Sequence, residues 1–262
     1  MIDAAVIGGG VSGLTAGWHL RRRGLEVQVL EAAPAPGGMA RSQRMGGYLM
    51  EHGPNSISAG KGGVEALSAA LGLDDQICDL GPLVRRRYLL KDERLYGIAT
   101  GMTGFLRSSY LSYRARLWLM SEIFRRPREV GNETVGAFFR RRFGPEFTER
   151  VIDPLVGGLF GGCADDISIE AAFPALKAME SRYGSLTAGV MASRWRGGAM
   201  PGRRLFSWTG GIGVLPARLA HALGPALKCA VRVTAMTREA GGFRLDLGAA
   251  GSLTARVIVM AL

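Results

Sequence analysis

The chain has 262 residues, 47% hydrophobic and 21% charged, enough to bury one large core or two modest ones. A net charge of +11, mostly arginine, fits an anionic partner (a carboxylate substrate or an acidic membrane surface) or solvated helix faces; no nucleic-acid-binding motif accompanies it. The three cysteines, Cys78, Cys163 and Cys229, form no CxxC and read as free, buried thiols of a reducing compartment, while His19, His52 and His221 lack metal-ligand spacing.

No apolar run is long enough to cross a membrane, and no signal peptide precedes the first strand, which starts at Ile2. Ile2 to Ile7 is a short apolar run, predicting a buried parallel strand. Gly8 permits the tight turn out of it. Gly10 lets the backbone approach a pyrophosphate, and Gly13 lets the next helix pack closely. That helix is expected from Val11 to about Arg23, with Leu14, Trp18 and Leu20 apolar; its N-terminal amides, at Val11 and Ser12, face the diphosphate. Gly24 ends it, and Leu25 to Leu30 alternates into a second strand. Glu31 at its end can accept hydrogen bonds from a ribose and disfavours a 2′-phosphate, which argues against NADP. Strand, helix, strand and acid in this order predict a bound dinucleotide.

A second glycine motif follows at Ala32 to Ser42, containing Gly37, Gly38 and Met39. It suits a loop folded over a diphosphate, with Arg41 supplying charge-assisted hydrogen bonds. Nicotinamide dehydrogenases do not need this second clamp, so the pair points to a flavin. Next, Gly53, Pro54 and Asn55 form either a rigid turn along an isoalloxazine edge or an ordinary β-turn.

Further along, Val64 to Leu71 predicts a helix ending near Gly72, and residues 81–205 read as mostly helical. Ser112 to Arg125 spaces Tyr113, Leu117, Met120 and Phe124 three to four residues apart, predicting one apolar helix face. The mixture of aromatic and basic residues from Gly97 to Arg128 fits a membrane interface or a helix packed on its own core. Asn132 or Glu133 is expected to start a helix ending near Gly144, Pro145 to open another, and Gly157 to Gly162 to be a loop. Gly210 to Gly213 reads as a turn, Val214 to Leu223 as a helix, Leu227 to Val233 as a strand, Gly241-Gly242 as a hairpin turn before Phe243 to Leu247, and Leu253 to Met260 as the last strand.

The runs VIGGGVSGL (6–14), LEAAPAPGGMARS (30–42) and GYLMEHGPNS (47–56) together resemble the flavin-containing amine oxidoreductase superfamily. Later segments, RYLL (87–90), DPLVGGLFGG (153–162), DISIEAAFP (166–174) and FSWTGGIGVLP (206–216), narrow the resemblance to the N-terminal half of the protoporphyrinogen and coproporphyrinogen oxidases.

The resemblance implies an α/β fold: a Rossmann-like FAD-binding domain in two segments, 1–80 and 206–262, interrupted by a mostly helical substrate- and membrane-associated domain at 81–205. It also implies a longer chain, with a C-terminal part and its second flavin-binding segment missing here. FAD is the implied cofactor, held by Gly8, Gly10, Val11, Ser12, Gly13, Glu31, Ala32, Gly38, Met39, Arg41, Gly53, Pro54, Asn55 and the backbone of Val233. The implied chemistry is hydride loss from a porphyrinogen methylene to the flavin, with dioxygen as acceptor; no side chain is a catalytic nucleophile or metal ligand. Arg87 is the candidate for a substrate propionate. A cytoplasmic location, peripheral membrane contact and a homodimer go with this reading. The alternatives are another FAD-dependent amine oxidase or desaturase, and a non-catalytic fragment.

Overall fold

The structure, a computed structural model, describes residues 1–58, 63–79, 86–99, 102–127, 131–195 and 205–262. They fall into two compact units, Met1–Gly81 with Arg203–Leu262, and Pro82–Gly202.

The first unit opens with β1 (Ile2–Ile7), α1 (Val11–Arg22) and β2 (Val27–Leu30). One face of α1 buries Gly13, Leu14, Gly17 and Trp18, a helical spacing. A Cβ added at Gly17 would overlap the Val29 side chain, so this glycine sets how closely α1 lies on β2. A hairpin of β3 (Ser42–Met45) and β4 (Tyr48–Glu51) follows, then β5 (Ile57–Ser58), α2 (Val64–Ala70) and β6 (Ile77–Asp79).

The second unit starts with β7 (Arg86–Lys91) and β8 (Arg94–Ala99), paired antiparallel. This hairpin departs from the mostly helical reading of 81–205. Its two-residue turn is Asp92-Glu93, at φ +49° and +58°, the geometry of a type I′ turn built without glycine. Leu89 and Tyr96 pack inward while Tyr88, Leu90 and Leu95 stay exposed, the alternation of a half-buried ribbon. Helices α3 (Met102–Arg107) and α4 (Tyr113–Met120) come next, with the Ser112 side chain capping α4 by accepting from Ala115 N at 3.2 Å. The spacing of Tyr113, Leu117, Met120 and Phe124 is helical, but the stripe faces outward: Tyr113 is 70% and Phe124 86% exposed, and Ala115 and Leu119 supply the buried face.

Then come α5 (Val135–Phe143), capped by Thr134, α6 (Pro145–Phe147), a π-helical turn Thr148–Ile152, and α7 (Asp153–Phe160). The expected loop at Gly157 to Gly162 is thus helical as far as Phe160. Fully buried Val156 anchors this helix, which ends where Gly161 turns left-handed at φ +69°. Helices α8 (Ile169–Ala172), α9 (Pro174–Tyr183) and α10 (Leu186–Trp195) complete the unit. Its core joins Leu111, Leu119, Val135, Phe138, Phe143, Phe147, Val156 and Ile169.

Returning to the first unit, β9 (Leu205–Trp208) pairs with β5 and β6, and α11 (Val214–Leu223) buries Leu215, Leu219 and Leu223 at four-residue intervals. The last strands are β10 (Leu227–Lys228), β11 (Ala235–Glu239), β12 (Gly242–Asp246) and β13 (Ser252–Met260). The main sheet has the order β10-β2-β1-β13-β12-β11, parallel through β13 and antiparallel beyond it. Helices α1 and α11 join one apolar cluster with Ala4, Val6, Val27 and Val29, while Ala5, Leu30, Leu245 and Ala255 form a second cluster. The predicted strand Leu227 to Val233 is cut short at Lys228, because Ala230 adopts φ +57° and turns the chain out of the extended form.

The cysteines are free, as expected, but not buried: Cys78 and Cys163 are exposed and Cys229 half-buried. Among the described residues no helix is long and apolar enough to cross a membrane, and no cluster could hold a metal ion.

Candidate functional site

The central strand β1 has β2, reached through α1, on one side and β13, reached from β12, on the other, so the connections to its two neighbours run on opposite sides. That arrangement opens a crevice at the carboxyl ends of the parallel strands. The crevice is a cavity of about 380 Å³. Its walls include Gly8 after β1, Leu30 and Glu31 at the end of β2, and Gly10, Val11 and Ser12 at the start of α1. The second glycine motif supplies Gly38 and Met39, and the segment after β10 supplies Val231, Arg232 and Val233.

Each glycine has a separate physical reason. Gly8 is held at φ +110°, and a Cβ there would overlap the Ala261 carbonyl oxygen. A Cβ at Gly13 would overlap the Gly8 carbonyl oxygen, so Gly13 serves packing and does not line the cavity. Gly10 is different: no protein atom lies within 4 Å of the position a Cβ would take. Its bare face looks onto open space beside the first amides of α1, which have no acceptor within the helix. The second motif is stitched to the first, since Gly37 N donates to Gly9 O at 2.8 Å.

Glu31 is fixed from both sides. Its Oε2 accepts from Gly9 N and its Oε1 from Ala33 N, each at 2.6 Å. Each carboxylate oxygen keeps a further acceptor site, enough for a ribose diol. Close by, burial and then the Glu31 charge push the Cys229 thiol above its ordinary range.

Amide donors with no side chain in the way, followed by an acid beyond them, fit the diphosphate and ribose of a dinucleotide. Of the residues expected from sequence, Gly8, Gly10, Val11, Ser12, Glu31, Ala32, Gly38, Met39 and Val233 line one cavity. Arg41, Gly53, Pro54 and Asn55 are not among its walls. Arg41 is exposed, and its carbonyl accepts from His52 N at 2.9 Å. Gly53 packs so tightly on the Met39 carbonyl that a Cβ would overlap it. For Arg87 only the backbone, in β7, is described; its side chain lies outside the described residues.

Sequence reasoning missed Val231 and Arg232. Its signal was weak, because Ala230 gives no hint of the left-handed turn that carries them to the cavity.

Over residues 11–262 the chain matches the family described as flavin containing amine oxidoreductase. The chain belongs to that family. The flavin oxidoreductases it resembles include a coproporphyrinogen III oxidase of Staphylococcus aureus, 32% identical over 200 residues, covering 72% of this chain and 42% of that protein. A mitochondrial protoporphyrinogen oxidase of Nicotiana tabacum is 34% identical, covering 72% of this chain and 39% of that protein. The chain therefore spans less than half the length of these relatives. A crystal structure of a candidate protoporphyrinogen oxidase from Exiguobacterium sp. superposes with a TM-score of 0.83 at 24% identity, covering 100% of this chain and 59% of that one, a likeness of fold. FAD is the cofactor that goes with this flavin-containing family, and the cavity walls fit its adenosine diphosphate moiety.

Proposed function

We propose that this chain carries the FAD-binding half of a porphyrinogen oxidase of haem biosynthesis, acting on protoporphyrinogen IX or coproporphyrinogen III with dioxygen as acceptor. The cavity at the carboxyl ends of β1, β2 and β13, with an acid on one wall and a helix start on another, carries the cofactor part of this reading. The names of the relatives support the substrate part. When bound, FAD would supply the hydride acceptor for a porphyrinogen methylene, with dioxygen as the final acceptor.

The protein's part is to bind and orient. Val11 and Ser12 donate backbone amides to the diphosphate past the bare face of Gly10. Gly8 and Gly13 hold the turn that aims these amides. Glu31 accepts from the ribose, while Ala32, Gly38 and Met39 close over it. The Val233 backbone pairs with the adenine. Arg41 reaches the diphosphate from outside the cavity, and Gly53, Pro54 and Asn55 run along the flavin edge. Arg87 binds a substrate carboxylate. In this scheme 1–80 and 206–262 hold the cofactor and 81–205 serves substrate and membrane. The outward stripe Tyr113, Leu117, Met120 and Phe124 rests on an acidic cytoplasmic membrane surface, with arginines around it. Co-sedimentation with anionic vesicles is expected to weaken when Met120 and Phe124 are changed to Asp; unchanged pelleting removes the membrane part.

The test of function is anaerobic. The chain is loaded with FAD, desalted and mixed with each porphyrinogen or with putrescine. Bleaching of the visible flavin band by a porphyrinogen, with porphyrin fluorescence appearing, is the expected result. Bleaching by putrescine alone points to amine oxidation, and retained flavin that no porphyrinogen bleaches counts against the substrate reading.

A further inference from the structure

We propose that Arg232 is a cofactor-positioning residue whose guanidinium covers the adenine of bound FAD and secures the adenosine end of the cavity. The inference rests on the FAD reading of this site. The order of groups along the cavity sets where the base lies. The diphosphate belongs at the α1 amides and the ribose at Glu31, so the base extends past Glu31.

What lies past Glu31 is the turn after β10. Three backbone hydrogen bonds bind it to the end of β2: Glu31 N to Lys228 O at 2.8 Å, Ala230 N to Ala33 O at 2.9 Å and Val231 N to Glu31 O at 2.9 Å. With Ala230 at φ +57°, these bonds turn the chain across the strand end. Val231 and Val233 are half-buried against the cluster of Ala5, Leu30 and Ala255. They hold the segment in place by apolar contact. Arg232 between them is exposed, lines the cavity, and makes no hydrogen bond or ion pair among the described residues.

An arginine with no partner among the described residues, held by its neighbours at the base end of a nucleotide cavity, has a flat cation to offer a flat ring. Guanidinium stacks on aromatic faces and is attracted to their electron density, which an ammonium on a flexible stem does less well. Because Arg232 bonds to no other described residue, its removal is expected to leave the fold intact.

The test titrates the whole 262-residue chain, stripped of flavin, with FAD, ADP and FMN by calorimetry, alongside Arg232→Ala and Arg232→Lys. We expect Arg232→Ala to weaken FAD and ADP binding about tenfold, with lysine restoring only part of it. FMN, which lacks adenosine, should bind both forms alike. The thermal midpoint of the flavin-free variant should equal that of the parent. Equal FAD and ADP affinities in parent and Arg232→Ala overturn the inference while the cofactor site stands. An equal loss for FMN, or a lowered flavin-free midpoint, overturns it in favour of a general charge or structural role. A parent that binds neither FAD nor ADP takes the site reading down with it.

Discussion

At the scale of single residues, the two glycines that look alike in the motif have opposite dependences. Gly10 sits at φ −71°, a conformation open to any L-residue, and its missing Cβ faces only the cavity. Gly13 faces the Gly8 carbonyl at the contact between α1 and β1. Gly10→Ala is therefore expected to leave stability within about 0.5 kcal/mol of the parent and to weaken FAD binding at least about tenfold. Gly13→Ala is expected to destabilise the flavin-free protein by about 1–3 kcal/mol, as overpacking does. Urea unfolding and FAD titration of both variants check this. A destabilised Gly10→Ala with normal FAD affinity would reverse the assignment. Glu31 was legible in the sequence by its place after β2. Its grip on Gly9 and Ala33 was not, because that geometry arises only once the second glycine motif folds back on the first.

At the scale of elements, α10 depends on a buried acid from a distant turn. Glu122 accepts from Ser185 Oγ at 2.7 Å, Leu186 N at 3.0 Å and Thr187 N at 3.0 Å, and its Oε1 lies 3.3 Å from the buried Arg142 guanidinium. Burial alone would raise the Glu122 pKa, but the bonds from Thr187, Ser185 and Leu186 outweigh it and hold the carboxyl below its usual range. At Glu133 and Glu180 burial likewise pushes the carboxyl up, but Arg141 and Lys177, joined at Glu180 by Arg142, outweigh it and hold both below the usual range. A carboxyl whose pKa is lower folded than unfolded adds stability above the unfolded value, near 4.5, and that stability is lost as pH falls through the folded value. Stability of the second unit should thus fall from about pH 4.5 downward. Glu122→Gln should cost about 1–3 kcal/mol at neutral pH, by weakening the bonds to Ser185, Leu186 and Thr187 and leaving buried Arg142 with Glu180 as its one carboxylate partner among the described residues, at 2.9 Å, and should flatten the acid slope. Urea melts at stepped pH test it, and parallel slopes in parent and variant would refute it. Elements with strong periodicity, β1, α1, β2 and α11, were legible. The β7–β8 hairpin was not, because its turn uses Asp92-Glu93 where the sequence signal is Asn-Gly. The second half of α7 carries Gly157 and Gly158, which argue for a loop, yet Val156 holds the helix. The stripe on α4 has the right spacing, but spacing alone does not say which face meets the core.

At the scale of the molecule, the apolar run of β1 and the alternation of β2, with the glycines between them, predict parallel strands with a crevice at their carboxyl edge, and β13 completes that edge. That crevice gathers nine of the residues expected to hold the cofactor. Arg41 and Gly53 to Asn55 follow the second motif along the chain but are not among the cavity walls, because the chain leaves the cavity at Met39, a position that motif spacing alone does not give. The measurement closest to the central claim is calorimetric titration of the flavin-free chain with FAD, with ADP as competitor, followed by desalting and a visible spectrum. The account predicts saturable FAD binding near one per chain, displacement by ADP, and a flavin band that survives desalting. A colourless protein that takes up neither FAD nor ADP would contradict it.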